Sequence, residues 1–275
     1  MLTINIILAS LGMIVLPLIA GFFVARTFKL SFRDFRGLFM AGALTFIASQ
    51  VLHIPVVFGL TFLFSSGVIP SPDSSSVLIF NAVVLGLLAG IFEETARYIL
   101  FKKIRKSTDT WRNGIMIGLG HGGIEAILVG ILGLATLTQM LAMKNMVDLS
   151  SMGIPADQIE LVKDQVDAYW SQTIITPYFG LMERASAMSL HVGLSILVLL
   201  SVRTNQKKWF WLALFYHAFV DAFAVFMLPR FTAMQNPALG TFLFECLIAV
   251  MGVGLLIYAI RSRNKFPEGK EEATK

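Results

Sequence analysis

Four groups of ionisable side chains inside the long apolar runs of this 275-residue chain could do chemistry. In chain order, they are Glu93, Glu94 and Arg97; His121 and Glu125; His191; and His217 and Asp221. Carboxylates and imidazoles are the groups that proteins use for general acid–base chemistry and for holding divalent metals. Because ionisable groups are costly in lipid, their presence in apolar runs indicates a functional site.

The spacing of these residues suggests two kinds of chemistry. His121 and Glu125 are four residues apart, as are His217 and Asp221, so each pair projects from one face of a helix. Such a pair suits two ligands of one metal, or one ligand and the group that orients it. Both possibilities require the helices that carry these pairs to lie side by side.

The adjacent carboxylates of Glu93 and Glu94 must point in different directions from a helix. We predict that one faces the site as a general base and that the other binds Arg97. The alternative is an ion pair that only packs helices together. His121 could likewise donate to a backbone carbonyl, with its neighbouring glycines allowing close packing, and His191 could be a structural donor.

The composition indicates a membrane protein. Hydrophobic residues make up 56% of the chain and charged residues 14%, and the mean hydropathy is +0.75. Seven apolar runs are long enough to cross a bilayer as helices. They lie near 2–24, 38–64, 77–101, 114–140, 178–202, 209–228 and 241–260. The sequence therefore predicts an all-α, polytopic bundle of about seven transmembrane helices in a cell membrane.

The net charge of +5 fits membrane topology better than nucleic-acid binding, because most Lys and Arg lie between the apolar runs. Every second connection is basic, which predicts an outside N-terminus, a cytoplasmic C-terminus and an acidic extracytoplasmic insertion at 142–173. Residues 1–265 are predicted to form one domain, and 266–275 a disordered cytoplasmic tail. Cys246 is the only cysteine, which excludes an intramolecular disulfide and a thiolate metal cage.

Depth in the membrane selects which polar residues can meet. Counted from the nearest basic anchor, the carboxylate pair, His121 and His217 all lie about 12–13 Å from the inner face. His191 lies at about 18 Å, and Glu125 and Asp221 lie at about 20 Å. We therefore predict that four helices bring these groups together in one site, open toward the cytoplasmic half of the bilayer.

Other polar residues fall outside this site by the same count. His53 lies about 25 Å from the inner face. There, Gln50 and His53 could line an entry path or form a structural pair. Glu183 and Arg184 lie at about 30 Å. Snorkelling toward the outer interface is their plain explanation.

Three motifs follow one another between residues 92 and 221. They are Glu93-Glu94-x-x-Arg97, a Glu on the next helix, and His217-x-x-x-Asp221. This order resembles the intramembrane protease superfamily that contains the CAAX prenyl endopeptidases and the PrsW-like enzymes. The fuller pattern, with EExxRY, GHGGIEA, Glu-Arg before a His helix, and HAFVD, is similar to the YhfC-like bacterial membrane family.

The resemblance implies an intramembrane endopeptidase, glutamic-type or metallopeptidase, that hydrolyses a peptide bond within or next to the membrane. It carries the catalytic glutamate pair over to Glu93 and Glu94 and the second-motif acid to Glu125. Prenyl endopeptidases have a histidine where this chain has Glu125, so the PrsW-like pattern is nearer. The chain has no HExxH motif, so an ordinary zincin mechanism is not expected.

The same resemblance sets the expected substrate and cofactor. The substrate is a membrane protein or lipopeptide in the lipid bilayer, and no nucleic acid is involved. All eight residues of the opening paragraph are candidate catalytic residues. Zn²⁺ or another divalent metal is compatible with them, and its candidate ligands are His121, Glu125, His217 and Asp221.

Two other functions stay open from the sequence alone. A proton- or ion-coupled transporter would use the same carboxylates and histidines as a relay, although no clear internal repeat is visible. A non-catalytic scaffold or immunity protein would use the insertion at 142–173 as a docking surface.

Overall fold

A computed structural model describes residues 1–108, 110–144 and 154–266 of the chain. These residues form α-helices joined by short connections, with no strand among them. The helices are α1 (Leu2–Thr27), α2 (Phe32–Ser65), α3 (Val77–Thr108), α4 (Trp111–Lys144), α5 (Ile159–Ser171), α6 (Thr176–Thr204), α7 (Lys208–Thr232) and α8 (Pro237–Arg261). Short 3₁₀ turns at Ala156–Gln158 and Ser262–Lys265 precede α5 and follow α8.

The predicted all-α fold with seven spans is confirmed. In the described part of the chain, every helix except α5 is long and apolar enough to cross a bilayer. Several helices extend beyond their apolar runs, because local features such as capping residues set where a helix begins. The hydroxyl of Ser31, for example, accepts from the backbone N–H of Asp34 at 3.1 Å and caps the start of α2. The orientation of the termini stays a prediction.

The basic connections gather at one end of the bundle, which we call the basic end. Trp111 at the start of α4 donates its indole N–H to the carbonyl of Ala259 at 2.8 Å, and Arg263 lies over its ring. Lys265 lies over the ring of Trp209 at the start of α7. The end of α8 therefore lies beside the starts of α4 and α7, as an up-and-down bundle requires.

The central helix of the bundle is α6. It contacts α1, α3, α4, α7 and α8, and its residues from Leu190 to Val202 are all buried. Hydropathy did not predict this position, because lipid and the protein interior favour the same apolar side chains. The bundle is thus built around a helix that has little contact with lipid.

Glycine lets two pairs of helices approach closely near the candidate site. A Cβ on Gly120 of α4 would collide with the carbonyl oxygen of Phe39 in α2, and one on Gly86 of α3 would collide with that of Ala218 in α7. Gly120, the glycine before His121, therefore serves close helix packing. These contacts fix α2 against α4 and α3 against α7.

Replacing Gly86 with alanine is expected to push α3 and α7 apart. Overpacking of this kind costs about 1–3 kcal/mol, so the midpoint of thermal unfolding in detergent should fall. Gly254→Ala in α8 is the matched control, because a Cβ at Gly254 meets no atom within 4 Å. Equal midpoints for the two variants would contradict the close approach of α3 and α7.

The insertion at 142–173 contains a helix that the sequence analysis did not predict. The indole N–H of Trp170 in α5 donates to the carbonyl of Met140 at 3.3 Å, and the ammonium of Lys144 lies 4.3 Å from the centroid of its ring. These contacts hold α5 against the last turns of α4, at the end of the bundle opposite the basic end. Residues 145–153 of the insertion lie outside the described residues.

The predicted tail begins at Phe266, but this side chain is buried. The guanidinium of Arg203 lies 5.6 Å from the centroid of its ring. Phe266 therefore packs with the transmembrane domain. The rest of the tail, 267–275, lies outside the described residues, so its disorder stays a prediction.

Candidate active site

Glu94 and Arg97 of α3 form a buried ion pair. Nη1 of Arg97 lies 2.5 Å from both carboxylate oxygens of Glu94, and neither side chain is exposed. Oε1 of Glu94 also lies 2.8 Å from Nδ1 of His217 on α7. Because Arg97 supplies a fixed positive charge, Glu94 is the acceptor in both contacts. This carboxylate is therefore committed to holding an arginine and a histidine in place.

Glu93 points in a different direction, as adjacent residues on a helix must. Its Oε2 lies 3.0 Å from Nε2 of His121 on α4 and 3.8 Å from Nε2 of His217. Its Oε1 accepts from the amide of Gln50 on α2 at 3.2 Å. The structure thus divides the carboxylate pair into one that faces the histidines and one that binds the arginine.

Hydrogen bonding assigns the tautomers of His121 and His217. Oγ1 of Thr45 donates to the carbonyl three residues earlier in α2 at 2.6 Å, so it accepts from Nδ1 of His121 at 2.7 Å. Nδ1 of His217 donates to Glu94, as described above. In the neutral form of each ring, Nε2 therefore carries a lone pair. Both lone pairs lie near Oε2 of Glu93.

His191 on α6 is bonded at both ring nitrogens. Nη2 of Arg97 donates to its Nδ1 at 3.1 Å, which puts the ring proton on Nε2. Nε2 then donates to Oε2 of Glu125 on α4 at 2.7 Å. Oε1 of Glu125 accepts from Arg184 at 2.8 Å, and Arg184 also pairs with Glu183. A continuous chain of charge-assisted hydrogen bonds therefore connects Arg184 with the ion pair on α3.

Asp221 lies one turn after His217 on α7. Its Oδ2 is 3.7 Å from Nε2 of His217, and 38% of its side-chain surface is accessible. It is the most accessible carboxylate beside the buried histidines. The eight candidate residues thus lie in one continuous network on α3, α4, α6 and α7.

Comparison with known protein families shows which family has this sequence pattern. The profile of the YhfC intramembrane metalloprotease family matches residues 12–240, which contain the whole network. The chain belongs to the YhfC family. The "Uncharacterized membrane protein YhfC" of Bacillus subtilis (strain 168) is 33% identical over 144 residues. That match covers 50% of this chain and 54% of the relative, so it spans about half of the relative's length. A comparison with solved structures found no match.

Membership of the YhfC family supports an intramembrane protease in general. It does not favour the transporter or the scaffold. Together with the seven apolar helices, it also identifies a multi-pass membrane protein, as the sequence predicted.

One interpretation of this YhfC-family sequence was wrong. Arg184 was expected to snorkel to the outer interface, but its guanidinium is largely buried and contacts Glu125. Counting residues along a helix locates only the backbone. The long arginine side chain reaches a carboxylate at a different depth, and a buried carboxylate is stabilised by such a partner.

Sequence reasoning also missed two contacts on α2. Thr45 was not singled out, and Gln50 was left as an entry-path or structural residue, yet each touches a site residue. The sequence marks them only as polar residues in an apolar run. Because α2 contains several such residues, this feature does not single them out. His53 stacks on Phe92, and its ring nitrogens have no hydrogen-bond partner among the described residues. It lies outside the network.

The donor atoms around Glu93 fit a divalent metal. Two imidazole lone pairs and a carboxylate oxygen repel one another unless a proton or a cation lies among them. Two histidines and one glutamate are a common ligand set of catalytic zinc. The second nitrogens of His121 and His217 donate to a hydroxyl and a carboxylate, and metal-binding histidines usually have such partners.

Distance alone favours His191 as the second histidine, because ligand atoms of Glu93, His191 and His217 all lie within 4.8 Å of one another. However, both of its nitrogens are already bonded, one of them to an arginine. Both carboxylate oxygens of Glu125 are likewise engaged, one by His191 and one by Arg184.

Proposed function

We propose that this protein is an intramembrane metallo-endopeptidase that cleaves a membrane protein or lipopeptide within or next to the bilayer. The observation that carries the proposal is the meeting of two imidazole lone pairs at the carboxylate of Glu93. His121, His217 and Glu93 would hold the metal and would leave a position open for substrate. A divalent metal bound there would supply Lewis-acid polarisation of the scissile carbonyl.

The remaining residues of the network then have distinct roles. Asp221 is accessible and next to His217, so it can take a proton from the attacking water and give it to the leaving amine. Glu94 holds His217 in the tautomer that presents Nε2, and Arg97 fixes Glu94. Thr45 does the same for His121. These assignments explain why two carboxylates stand side by side in α3, since one acts at the site and the other orients a histidine.

His191 and Glu125 support the site from behind. His191 connects Arg97 to Glu125, and Glu125 is fixed by Arg184. Each charged residue of this hydrogen-bonded series has a partner of opposite charge or a polar donor, which is the condition for keeping charges in an apolar bundle. We propose that these residues position the catalytic groups and do not touch the substrate.

Metal analysis of the purified protein, combined with cleavage of reporter peptides, tests the proposed function. In liposomes, the protein should cleave at least one member of a library of single-span reporter peptides. A chelator should abolish cleavage, and Zn²⁺ or another divalent metal should restore it. Metal content should be stoichiometric in the wild type and in His191→Gln, but lost in His121→Gln. The isosteric change Glu245→Gln on α8, outside the donor set, should leave metal content unchanged.

Three results would contradict parts of this proposal. Full cleavage by metal-free protein would exclude a catalytic role for a metal. Glu93 would then be the general base of a glutamic-type peptidase. Loss of metal in His191→Gln, with retention in His121→Gln, would exchange the roles of the two histidines. Absence of cleavage across the library in a metal-loaded, folded protein would contradict the peptidase function.

A further inference from the structure

Several ionisable side chains on one side of the buried histidines are accessible, although they lie within the spans. Glu125, Glu183, Arg184 and Asp221 form this group, which we call the vestibule. Of the side-chain surface of Asp221, 38% is accessible, and of that of Glu183, 28% is accessible. Partly accessible charges within a span indicate contact with water, because contact with lipid is costly.

The vestibule lies between the histidines and the end of the bundle opposite the basic end. Arg184 precedes His191 by seven residues along α6, in the direction away from the basic end. Asp221 follows His217 by one turn along α7, in the same direction. Electrostatic interactions link Asp221 with Glu125 and Arg184, so three helices contribute to one space.

On the opposite side of the histidines, α4 and α6 pack through apolar side chains. No ionisable residue occurs at 192–202 of α6 or at 113–120 of α4. Leu194, Ile196 and Ile117 are completely buried there, as are Met116 and Phe101. On α4 and α6, this layer therefore offers water no ionisable side chain.

Hydrolysis needs water, and accessible charges within a span need water too, because exposure to lipid would be costly. We therefore infer that the vestibule is a water-filled entrance that connects the site to the end of the bundle opposite the basic end. The distribution of basic residues predicts that this end is extracytoplasmic. The enzyme would then receive its peptide from outside, contrary to the opening toward the cytoplasmic half expected from the sequence. The peptide part of this inference rests on the proposed function, but the water path does not.

The charge of the entrance indicates which peptide it would receive. The vestibule has three carboxylates and one guanidinium. Beside it, on α8, lies Glu245, which interacts electrostatically with Glu183 and Arg184. Glu245 is 5% exposed, and its Oε2 has no hydrogen-bond partner among the described residues. An excess of negative charge in a confined space favours a peptide segment with a positively charged side chain.

Thiol labelling of the full-length protein in membranes tests this entrance. In a Cys246→Ala background, Ala187→Cys and Ser195→Cys place a thiol one turn from His191 in opposite directions along α6. Ser171→Cys in α5 and Lys207→Cys mark the two ends of the bundle. A membrane-impermeant methanethiosulfonate is applied to intact cells and, separately, to inverted membrane vesicles.

Ala187→Cys should react at least tenfold faster than Ser195→Cys, and from the same face as the α5 marker. The labelling rate with a cationic reagent is divided by the rate with an anionic reagent of similar size. This ratio should be higher at Ala187→Cys than at Ser171→Cys, the marker on α5. Val225→Cys, one turn beyond Asp221, should behave like Ala187→Cys. It replaces Ala187→Cys in the test if that variant does not fold.

Three results would overturn the inference. They are equal labelling of Ala187→Cys and Ser195→Cys, labelling of Ala187→Cys from the face of the Lys207→Cys marker, and no labelling of either Ala187→Cys or Val225→Cys. A preference of Ala187→Cys for the anionic reagent would overturn the choice of a cationic peptide. None of these measurements depends on cleavage, so their failure is distinct from failure of the proposed peptidase activity.

Discussion

Glu93→Gln is expected to abolish peptide cleavage and metal binding together. The amide is nearly isosteric and can keep a hydrogen bond to Gln50, so the fold should persist. It removes the negative charge at the point where Nε2 of His121 and Nε2 of His217 meet. Metal content, measured by elemental analysis, should fall from stoichiometric to background, and reporter cleavage should become undetectable.

The outcome for Glu93→Gln separates two roles of this carboxylate. If Glu93 acted only as a general base, the variant would keep its metal, and cleavage would fall by about 10²–10⁴-fold. Retained metal would therefore contradict a ligand role. Retained metal and cleavage together would contradict any catalytic role for Glu93. An unchanged unfolding midpoint would establish that the loss is chemical and not structural.

Arg97→Met is expected to destabilise the protein more than any surface substitution. It leaves Glu94 as a fully buried carboxylate without its cation, and breaking a buried ion pair in this way costs about 3–5 kcal/mol. The midpoint of thermal unfolding in detergent should fall sharply. Arg230→Met, at the exposed end of α7, is the matched control and should have little effect.

The double variant Glu94→Gln/Arg97→Met tests the physical reason. Removing both charges leaves no uncompensated ion, so most of the lost stability should return. Activity should not return, because His217 loses the anionic partner that orients it. Loss of such a partner from a metal-binding histidine lowers metal affinity or activity by about 10–100-fold. A double variant that is as unstable as Arg97→Met alone would show that the arginine acts through packing.

The spans could be predicted because a bilayer imposes a length and a composition on each helix. The same physics left the arrangement of helices unpredicted. α6 is apolar and so are its neighbours, and nothing in its composition distinguishes a central helix from one that faces lipid. The helix α5 was missed for a related reason, since its short amphipathic segment lies in a polar insertion that was read only for its charge.

The members of the site could be predicted because ionisable residues in lipid are rare and must find one another. Depth counting found His121, His191 and His217, and helix geometry found that the two adjacent glutamates must diverge. Helix geometry could not predict that Glu93 is the one that faces the histidines, because Arg97 is within reach of both glutamates along α3. Contacts from other helices decide this, and a single sequence does not contain them.

Depth counting failed for long side chains and for groups that it did not consider. Arg184 reaches inward to Glu125, although its backbone lies closer to the end of α6. Glu245 was overlooked as a single acidic residue in the last apolar run, yet it is buried beside the vestibule. The proposed direction of the entrance rests on these residues, whereas the depth count without them predicted an opening toward the cytoplasmic half of the bilayer.

The ion pair between Glu94 and Arg97 also has a consequence for biosynthesis. Its members are three residues apart on one helix, whereas His217 follows Glu94 by 123 residues. When α3 leaves the translocon, its partners on α6 and α7 have not yet been made. The local pair can form at once within the helix and can cancel two of its three central charges. The contact that later orients a histidine therefore allows α3 to enter the bilayer before the rest of the site exists.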